Sequence, residues 1–347
     1  MESVHKALNP LVDFTNALSG EAYISKLLSS PSEGVFSTGA NRAALKPDVT
    51  SVMSKDQEDK HRCRLVTVKG VPLVEPVADN YDAVSSFCAD PSDLLIASYP
   101  KAGTTWVQEI VDLLLHNGDI ETCKRAITPS RMPFLENSAR PGLSSGIDLL
   151  KAMDPPRVIK THLPFHLIPK GFLENKCKVI YVARNAKDNL VSYFYFDQMY
   201  LIHPDPGPWE GYIQKFMRGE LPWGSWYDHV KTYWQEREQR NILYIFYEDM
   251  KENRRREVER IMRYLGLSLS DDVISRIVEL TSFKQMKENP MANYSLAPVF
   301  DQSISTFMRK GQVGDWKNHF TPGQTAEFDE DYKKKMKHVH IPFRTQL

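Results

Sequence analysis

The segment between Asp93 and His116 constrains the fold of this chain more than any other. An apolar run over Leu94–Ser98 is typical of a buried strand, and a helical pattern over Trp106–His116 follows closely. The short turn between them contains one glycine and two threonines. A helix start presents unpaired N–H groups and the positive end of its dipole. A strand, a polar turn and a helix in this order therefore predict an anion-binding site.

The turn itself carries groups that suit an anion. Gly103 lets the backbone approach a ligand closely, Thr104 and Thr105 have hydroxyl donors, and Lys101 has a full positive charge. The common phosphate-binding pattern GxxxxGK[ST] places its lysine after the second glycine, whereas Lys101 precedes the only glycine here. Taken alone, the turn fits an ordinary capped helix start with a solvated lysine equally well.

Strands and helices alternate along most of the chain. This pattern predicts an α/β fold, a single domain with a central, mainly parallel sheet flanked by helices. The predicted strands are Leu94–Ser98, Arg157–Lys160, Lys178–Ala183 and Ile242–Tyr247, and the predicted helices are Trp106–His116, Lys187–Asp197, Trp226–Gln239 and Arg255–Leu265. The domain is assigned to residues 65–347. Residues 1–64 are serine-rich and then charged without a sustained period, which indicates a flexible N-terminal extension.

Charge and cysteine usage narrow the class of protein. Lys plus Arg and Asp plus Glu both number 44, so the net charge of zero disfavours wholesale binding to nucleic acid or to an anionic membrane. No stretch approaches the roughly 20 apolar residues that a membrane helix needs. The 4 cysteines are scattered without CxxC spacing, which is typical of free thiols in a reducing compartment. We therefore expect a cytoplasmic protein.

Two further basic elements resemble the first in position. Arg184 ends a predicted strand, and the helix after it carries Ser192. Arg309, Lys310 and Gly311 place two cations beside flexible backbone. Taken alone, Arg184 is explained by a surface ion pair, and Arg309 and Lys310 by a solvated loop. Together, three basic turns predict a ligand with more than one anionic group, such as a nucleotide with separated phosphates.

A candidate base follows another predicted strand. Lys160 and His162 stand where that strand ends, and ligands of open α/β sheets bind at the carboxyl ends of the strands. His162 is therefore expected to face the same crevice as Lys101. Histidine is the usual general base near neutral pH, although most of the ten histidines are expected to be structural or surface groups.

Six segments, in order along the chain, resemble the motifs of the cytosolic sulfotransferases. They are YPKAGTTW, KTHLP, YVARNAKD with VSYFYF, FYEDMKEN, TSFKQMKENPMANY and FMRKGQVGDWKNHF. The resemblance covers about Val68 to Leu347 and is densest in the phenol-type branch, where PKAGTTW and GDWKNHF are most similar to the class C subgroup. It implies transfer of a sulfonate group from 3′-phosphoadenosine 5′-phosphosulfate (PAPS) to a hydroxyl or amine of a small acceptor, with PAP as the other product and no metal.

The resemblance also implies roles for individual residues. The catalytic base would be His162, and the other catalytic residues would be Lys101 and Lys160. The donor would be held by Lys101, Ala102, Gly103, Thr104, Thr105, Trp106, Arg184, Ser192, Tyr247, Thr281, Ser282, Phe283, Met286, Phe307, Met308, Arg309, Lys310 and Gly311. The acceptor pocket would be formed by Phe134, Lys160, His162, Phe196 and Tyr294. Its aromatic side chains would suit phenols.

This chain departs from the family's pattern in two places. Val77 and Asn137 stand where family members can carry phenylalanine, which bears on the acceptor. The family's dimer motif KxxxTVxxxE keeps Lys317 and Thr321, but Pro322 replaces its valine and Ala326 its glutamate. Because proline also removes a backbone donor, we expect a weakened homodimer contact.

Two other classes of function stay open at this point. A nucleotide-dependent small-molecule kinase would use Glu248 and Asp249, which follow an apolar run as a metal-binding acid does, although helix capping and solvation explain both residues more simply. A binding protein without turnover would keep the nucleotide pocket but has no use for Lys101 and His162.

Overall fold

The computed structural model of the chain describes residues 62–139 and 144–347. Its centre is a parallel sheet of four strands in the order β4-β3-β5-β6. The strands are β3 (Leu94–Ser98), β4 (Val158–Thr161), β5 (Lys178–Ala183) and β6 (Ile242–Phe246). A separate antiparallel hairpin precedes them, formed by β1 (Leu65–Val68) and β2 (Val71–Val74). The predicted α/β class with a parallel sheet is confirmed.

Helices cover both faces of the sheet. Those that precede β5 are α1 (Glu75–Asp79), α2 (Tyr81–Ser85), α3 (Thr104–Leu115), α4 (Ile120–Cys123), α5 (Thr128–Arg131), α6 (Gly146–Lys151) and α7 (Lys170–Glu174). Those that follow are α8 (Ala186–Met199), α9 (Trp209–Arg218), α10 (Trp226–Glu236), α11 (Tyr247–Glu252), α12 (Arg254–Leu265), α13 (Asp271–Leu280), α14 (Phe283–Glu288) and α15 (Pro322–Lys335). None of the helices in the described ranges is long and apolar enough to cross a membrane.

The core has two halves, one on each face of the sheet. Alternate residues of one strand point to opposite faces, and β3 accordingly sends Leu95 and Ala97 to one half and Leu94 and Ile96 to the other. All five residues of β3 are buried, as expected for a parallel strand that is covered on both sides.

The strand order determines what meets at the carboxyl edge of the sheet. β3 pairs with β4 on one side and β5 on the other, so that Ala97 is level with Thr161 and Tyr181. The turn after β3 therefore lies between the ends of the strands that carry His162 and Arg184. Three sequence-distant segments converge because β3 is their shared neighbour.

The predicted bounds are close to those observed. β3 and β5 have the predicted ends, and the ends of the predicted helices differ from the observed ones by at most three residues. β4 begins one residue later, after Arg157, whose backbone N–H and guanidinium both bind the Asp93 carboxylate, each at 3.0 Å. Tyr247 opens α11 and does not end β6. The predicted extension lies outside the described residues except for positions 62–64.

Candidate active site

A cavity of about 430 Å³ lies at the carboxyl edge of the sheet. Every site residue predicted from the sequence lines it except Ala102 and Ser282. The lining set comprises Lys101, Gly103, Thr104, Thr105, Trp106, Phe134, Lys160, His162, Arg184, Ser192, Phe196, Tyr247, Thr281, Phe283, Met286, Tyr294, Phe307, Met308, Arg309, Lys310 and Gly311. Ala102 is buried, and the Ser282 hydroxyl accepts a hydrogen bond from Gln285 N as the N-cap of α14.

The turn after β3 has an unusual backbone. Gly103 has a φ of 109°, and a Cβ at this position would lie 2.9 Å from Cδ2 of Tyr247. Glycine is therefore required by the backbone angle and by the close approach of the Tyr247 ring. Lys101 also has a positive φ, of 66°. The Thr104 hydroxyl lies 2.6 Å from that of Ser98 and ties the start of α3 to the end of β3.

Lys101 lies in the cavity between aromatic rings. Its Nζ is 4.4 Å from the ring centroid of Phe196 and 3.9 Å from that of Phe307. Burial, followed by the positive charges of Arg184 and Lys160, lowers the pKa of Lys101 to about 7. An anion in the cavity would favour the charged form of this lysine.

Two guanidinium groups are only partly satisfied by the protein. Arg184 lies 4.4 Å over the ring of Tyr247 and donates to the carbonyl groups of Lys101 at 3.4 Å and of Gln312 at 3.2 Å. The buried Nε of Arg184 and that of Arg309 have no hydrogen-bond partner among residues 62–139 and 144–347. Both arginines line the cavity, and a guanidinium group at a cavity wall suits the oxygens of a phosphate.

The loop that carries Arg309 is held by one carboxylate. Asp315 accepts hydrogen bonds from Arg309 at 2.6 Å and from Lys310 at 2.7 Å, and these hydrogen bonds help to hold its pKa well below its usual range despite partial burial. The adjacent Gly311 has a φ of 62° and lies against the ring of Phe283, where any Cβ would clash. The cations are therefore fixed in direction before a ligand binds.

An aromatic wall faces these cations. The Trp106 indole N–H donates to the Thr281 carbonyl at 2.8 Å, and its ring meets Tyr247 edge to face at 5.5 Å. The wall and the cations together offer a flat ring surface beside anion-binding groups, which is the chemistry that a nucleotide needs.

The tautomer of His162 follows from its hydrogen bond. Nδ1 lies 2.8 Å from the carbonyl oxygen of Ser98, an acceptor only, so Nδ1 carries the proton and Nε2 has the lone pair. Burial, followed by the charge of Lys160, lowers the pKa of His162 well below its ordinary value. The side chain is thus a neutral imidazole that can accept a proton at Nε2.

Glu136 holds this histidine and was not predicted from the sequence. Its fully buried carboxylate accepts hydrogen bonds from the His162 backbone N–H at 2.5 Å, the Thr161 hydroxyl at 2.9 Å and the Trp223 indole N–H at 3.3 Å. Burial raises the pKa of Glu136 to about 7. The only signal in the sequence was an acid directly after the three apolar residues of the segment PFLEN.

Lys160 lies beside the same group. Its Nζ is 4.3 Å from the ring centroid of Phe134, and burial lowers its pKa to about 8, against the opposing effect of the Glu136 charge. Phe134 and Trp223 both meet the His162 ring, at 5.1 Å and 5.5 Å. Two aromatic rings and a lysine therefore surround the candidate base.

The rest of the acceptor side is mainly aromatic. Tyr294 lies 4.3 Å from Phe307, ring to ring, and burial raises its pKa to about 12. Asn137 lines the cavity, whereas Val77 is buried in the core and is not among the lining residues. The cavity residues that the sequence analysis missed include Trp223, Tyr200 and His203, which sit in loops without a recognisable pattern.

The acids that a kinase would need have other partners. Glu248 accepts hydrogen bonds from the backbone N–H and side chain of Asn185, at 2.8 and 2.9 Å, and Asp249 pairs with Arg344. Among the described residues that line the cavity, neither acid is present. A metal-binding role in this cavity does not fit them.

One group of potential metal ligands occurs in the described part of the chain. Ligand atoms of Asp112, His116 and Cys123 lie within 4.8 Å of one another. The Asp112 carboxylate already pairs with Arg125 and Arg131, and burial raises the pKa of the Cys123 thiol far above its usual range. A cluster whose carboxylate is neutralised by two arginines is unsuited to a cation.

Comparison with known proteins gives one consistent family. The Sulfotransferase domain model matches residues 91–340. Sulfotransferase 1C2 of Rattus norvegicus is 50% identical over 297 residues, which span 85% of this chain and 100% of that protein. Sulfotransferase 1B1 of Canis lupus familiaris is 50% identical over 293 residues, spanning 84% and 99%. These two relatives do not separate the class C subgroup from its neighbours.

A solved structure agrees with the fold. The crystal structure of retinol dehydratase in complex with androsterone and inactive cofactor PAP superposes with a TM-score of 0.74 at 25% identity. The match covers 84% of this chain and 96% of that protein.

Proposed function

Because the chain belongs to the sulfotransferase family, we propose that it sulfonates a phenolic hydroxyl with His162 as the general base. Membership makes it a PAPS-dependent sulfotransferase.

The cavity supports binding of a donor with two separated anionic groups. The donor supplies a sulfonate group on a phosphate leaving group. Lys101 and the start of α3 are assigned to the end of the donor that carries the sulfonate, and Arg184, Arg309 and Lys310 to its second phosphate. The position of these three cations at the cavity wall supports this assignment, since their charged N–H donors suit phosphate oxygens. Trp106 and Phe283 would cover the adenine.

The acid–base step rests on the hydrogen bond from His162 Nδ1 to the Ser98 carbonyl, which is the observation that carries the proposal. Nε2 takes the proton of the acceptor hydroxyl while the oxygen attacks sulfur in line. Lys101 stabilises the negative charge that develops on the leaving phosphate oxygen, together with the N–H groups at the start of α3. General-base action of this kind contributes about 10²–10⁴-fold to the rate.

The ring-lined walls support a flat, apolar acceptor. Phe134 and Trp223 lie beside His162 and would hold an aromatic ring with its hydroxyl at Nε2. The fold relative with bound androsterone shows that this architecture also admits a steroid alcohol in another protein. A steroid is therefore the second acceptor class to test.

The test is an assay with radiolabelled PAPS and a panel of phenols, catecholamines, steroids and aliphatic alcohols, with a chelator present. We expect phenols to be sulfonated in the presence of the chelator, whereas a kinase would lose its activity under this condition. Replacement His162→Ala should lower kcat by at least about 100-fold while PAP binding, measured by calorimetry, stays within about threefold. Unchanged turnover in His162→Ala would refute the base assignment.

A further inference from the structure

A second histidine lines the cavity and has an orientation fixed by the protein. His203 is buried, and its Nδ1 lies 2.8 Å from Oδ1 of Asp197. A carboxylate oxygen accepts here, so in the neutral imidazole the proton lies on Nδ1 and the lone pair on Nε2. In the described part of the chain no hydrogen bond involves Nε2, and the ring borders the cavity.

The carboxylate behind this ring is itself held. Oδ2 of Asp197 accepts a hydrogen bond from the Tyr212 hydroxyl at 2.7 Å, and the side chain of Asp197 is buried. A buried carboxylate is costly unless each oxygen has a partner. Here each oxygen of Asp197 has a hydrogen-bond partner, and the Asp197–His203 pair is therefore rigid.

Arg62 clamps the two backbone segments that carry the pair. Its guanidinium donates to the carbonyl groups of Asp197 at 2.9 Å and of His203 at 3.1 Å. The end of α8 and the loop after it are thereby held at a set distance. The position of His203 in the cavity wall is therefore independent of any ligand.

The surroundings place this ring on the acceptor side. His203 lies 5.4 Å, ring to ring, from Trp223, which also meets the candidate base His162 at 5.5 Å. Phe196 and Tyr200 lie on its other sides, at 5.6 Å and 4.7 Å. An imidazole nitrogen without a protein partner is thus set into an otherwise aromatic wall. The phosphate-binding arginines are not among its ring contacts.

We propose that the Asp197–His203 pair is a polar subsite for a second hydroxyl of the acceptor, so that the enzyme prefers phenols with a hydroxyl-bearing substituent. This inference rests on the proposed function for the identity of the reacting group. A hydroxyl on the acceptor donates to Nε2 of this imidazole. A purely apolar substituent leaves Nε2 desolvated without a partner, which is the usual source of such discrimination.

The test compares matched acceptors that differ by one hydroxyl. The pairs are para-methyl-, para-ethyl- and para-propylphenol, each against the analogue with a terminal hydroxyl, so that the chain length scans the reach to His203. Binding to the PAP-saturated full-length protein is measured by calorimetry, which requires no turnover. For at least one pair, the ratio of the two dissociation constants should favour the hydroxylated member in the wild type.

Two replacements then locate the effect. His203→Asn keeps a donor to Asp197 but removes the group that faces the cavity, and we expect the ratio to fall about tenfold. His203→Gln retains a polar group near the Nε2 position and should keep most of the ratio. If His203→Asn does not fold, Tyr212→Phe removes one hydroxyl behind Asp197, outside the ring contacts of the cavity, and should lower the ratio about two- to threefold.

The outcomes separate this subsite from the proposed function. A ratio that is the same in the wild type, His203→Asn and Tyr212→Phe, or a wild type that prefers the alkyl member of every pair, overturns the subsite. Phenols that bind with the expected ratio but are not sulfonated by PAPS would instead refute the phenolic acceptor and support the subsite.

Discussion

The backbone N–H of His162 donates to Oε1 of Glu136 at 2.5 Å, although 26 residues separate the two in sequence. The same carboxylate accepts from Thr161 and Trp223, so one buried group connects the end of β4 to the loop that carries Trp223. Because the His162 ring packs between these segments, its direction depends on Glu136. We therefore regard Glu136 as a positioning residue.

Replacement Glu136→Gln should lower kcat about 10- to 100-fold. Glutamine has one acceptor atom for three donors, so at least one buried donor loses its partner, at a cost of about 1–3 kcal/mol. The KM for PAPS should change by less than about threefold, since no hydrogen bond in the described residues joins Glu136 to the cations that we assign to the donor phosphates. Steady-state kinetics with each substrate varied in turn measure this split.

A matched control separates positioning from stability. Glu257 is another buried carboxylate, in α12, and neither it nor its partners Arg256 and Arg260 line the cavity. Glu257→Gln should lower the melting temperature and leave kcat unchanged. The positioning role is wrong if the two replacements reduce kcat equally, or if Glu136→Gln only lowers the melting temperature.

Donor binding should take up a proton at alkaline pH. The pKa of Lys101 is about 7 in the empty cavity, so this lysine is mostly neutral at pH 8 and mostly charged at pH 6. Bound phosphates favour the charged form and raise its pKa. PAP affinity should therefore fall as pH rises above about 7, with proton uptake at pH 8 that disappears by pH 6.

Calorimetry in buffers of different ionisation enthalpy measures this uptake. Lys101→Arg is the matched control, because arginine stays charged throughout this range. The variant should lose the uptake assigned to Lys101 while any proton change of PAP itself remains. Equal uptake in the wild type and Lys101→Arg would contradict the assignment.

Much of this site could be predicted from local sequence, and the reason is geometric. Lys101, Arg184 and His162 each follow an apolar run, and adjacent parallel strands bring their carboxyl ends together. Local patterns also identified β3 and β5 with their ends. Helices α9, α13 and α15 were not predicted, although each is ten or more residues long.

Contacts between loops were beyond prediction. Glu136 reaches His162 because residues 133–135 fold back against β4, where Leu135 N donates to the Lys160 carbonyl at 2.8 Å. Trp223 reaches both residues through a loop in which it has a φ of 65°. Neither position has a periodic neighbour that would indicate burial. Their roles depend on tertiary packing alone.

Acid should destabilise the folded state through His229. This residue is buried, its Nε2 donates to the His162 carbonyl at 3.0 Å, and its Nδ1 accepts from the Tyr181 hydroxyl at 2.8 Å. Burial lowers its pKa from 6.5 to about 4. Below pH 6.5 the unfolded chain therefore binds a proton that the folded chain does not. The free energy of unfolding should fall as pH decreases from 6.5 to about 4, by about 3 kcal/mol at most from this group.

Urea unfolding at pH 7, 6 and 5 measures this effect. His229→Gln keeps an amide in place of the imidazole and cannot titrate, so its free energy of unfolding should depend less steeply on pH than that of the wild type. The difference in slope isolates His229 from carboxylates that also protonate. Parallel pH dependences in the two proteins would show that His229 is not responsible.

The segment at Thr321 should not support a tight homodimer. Thr321 caps α15 in a reciprocal pair with Gln324, in which the Gln324 N–H donates to the Thr321 hydroxyl at 3.2 Å and the Thr321 N–H to the Gln324 side chain at 3.0 Å. Pro322 occupies the first helical position, which suits its fixed φ and its missing N–H. The backbone N–H and hydroxyl of Thr321 are therefore already hydrogen-bonded within the chain, and they are not free to pair with a second chain.

Light scattering after gel filtration should give a mass near the 39.9 kDa of one chain at micromolar concentration. The double replacement Pro322→Val with Ala326→Glu restores the residues of the KxxxTVxxxE pattern beside Lys317 and should shift the mass towards that of two chains. Pro322→Val alone separates the two effects: it should lower the stability of α15 by about 0.5–1 kcal/mol without producing a dimer. The altered motif would still be functional if the wild type dimerises tightly and if a charged residue in place of Thr321 abolishes that dimer.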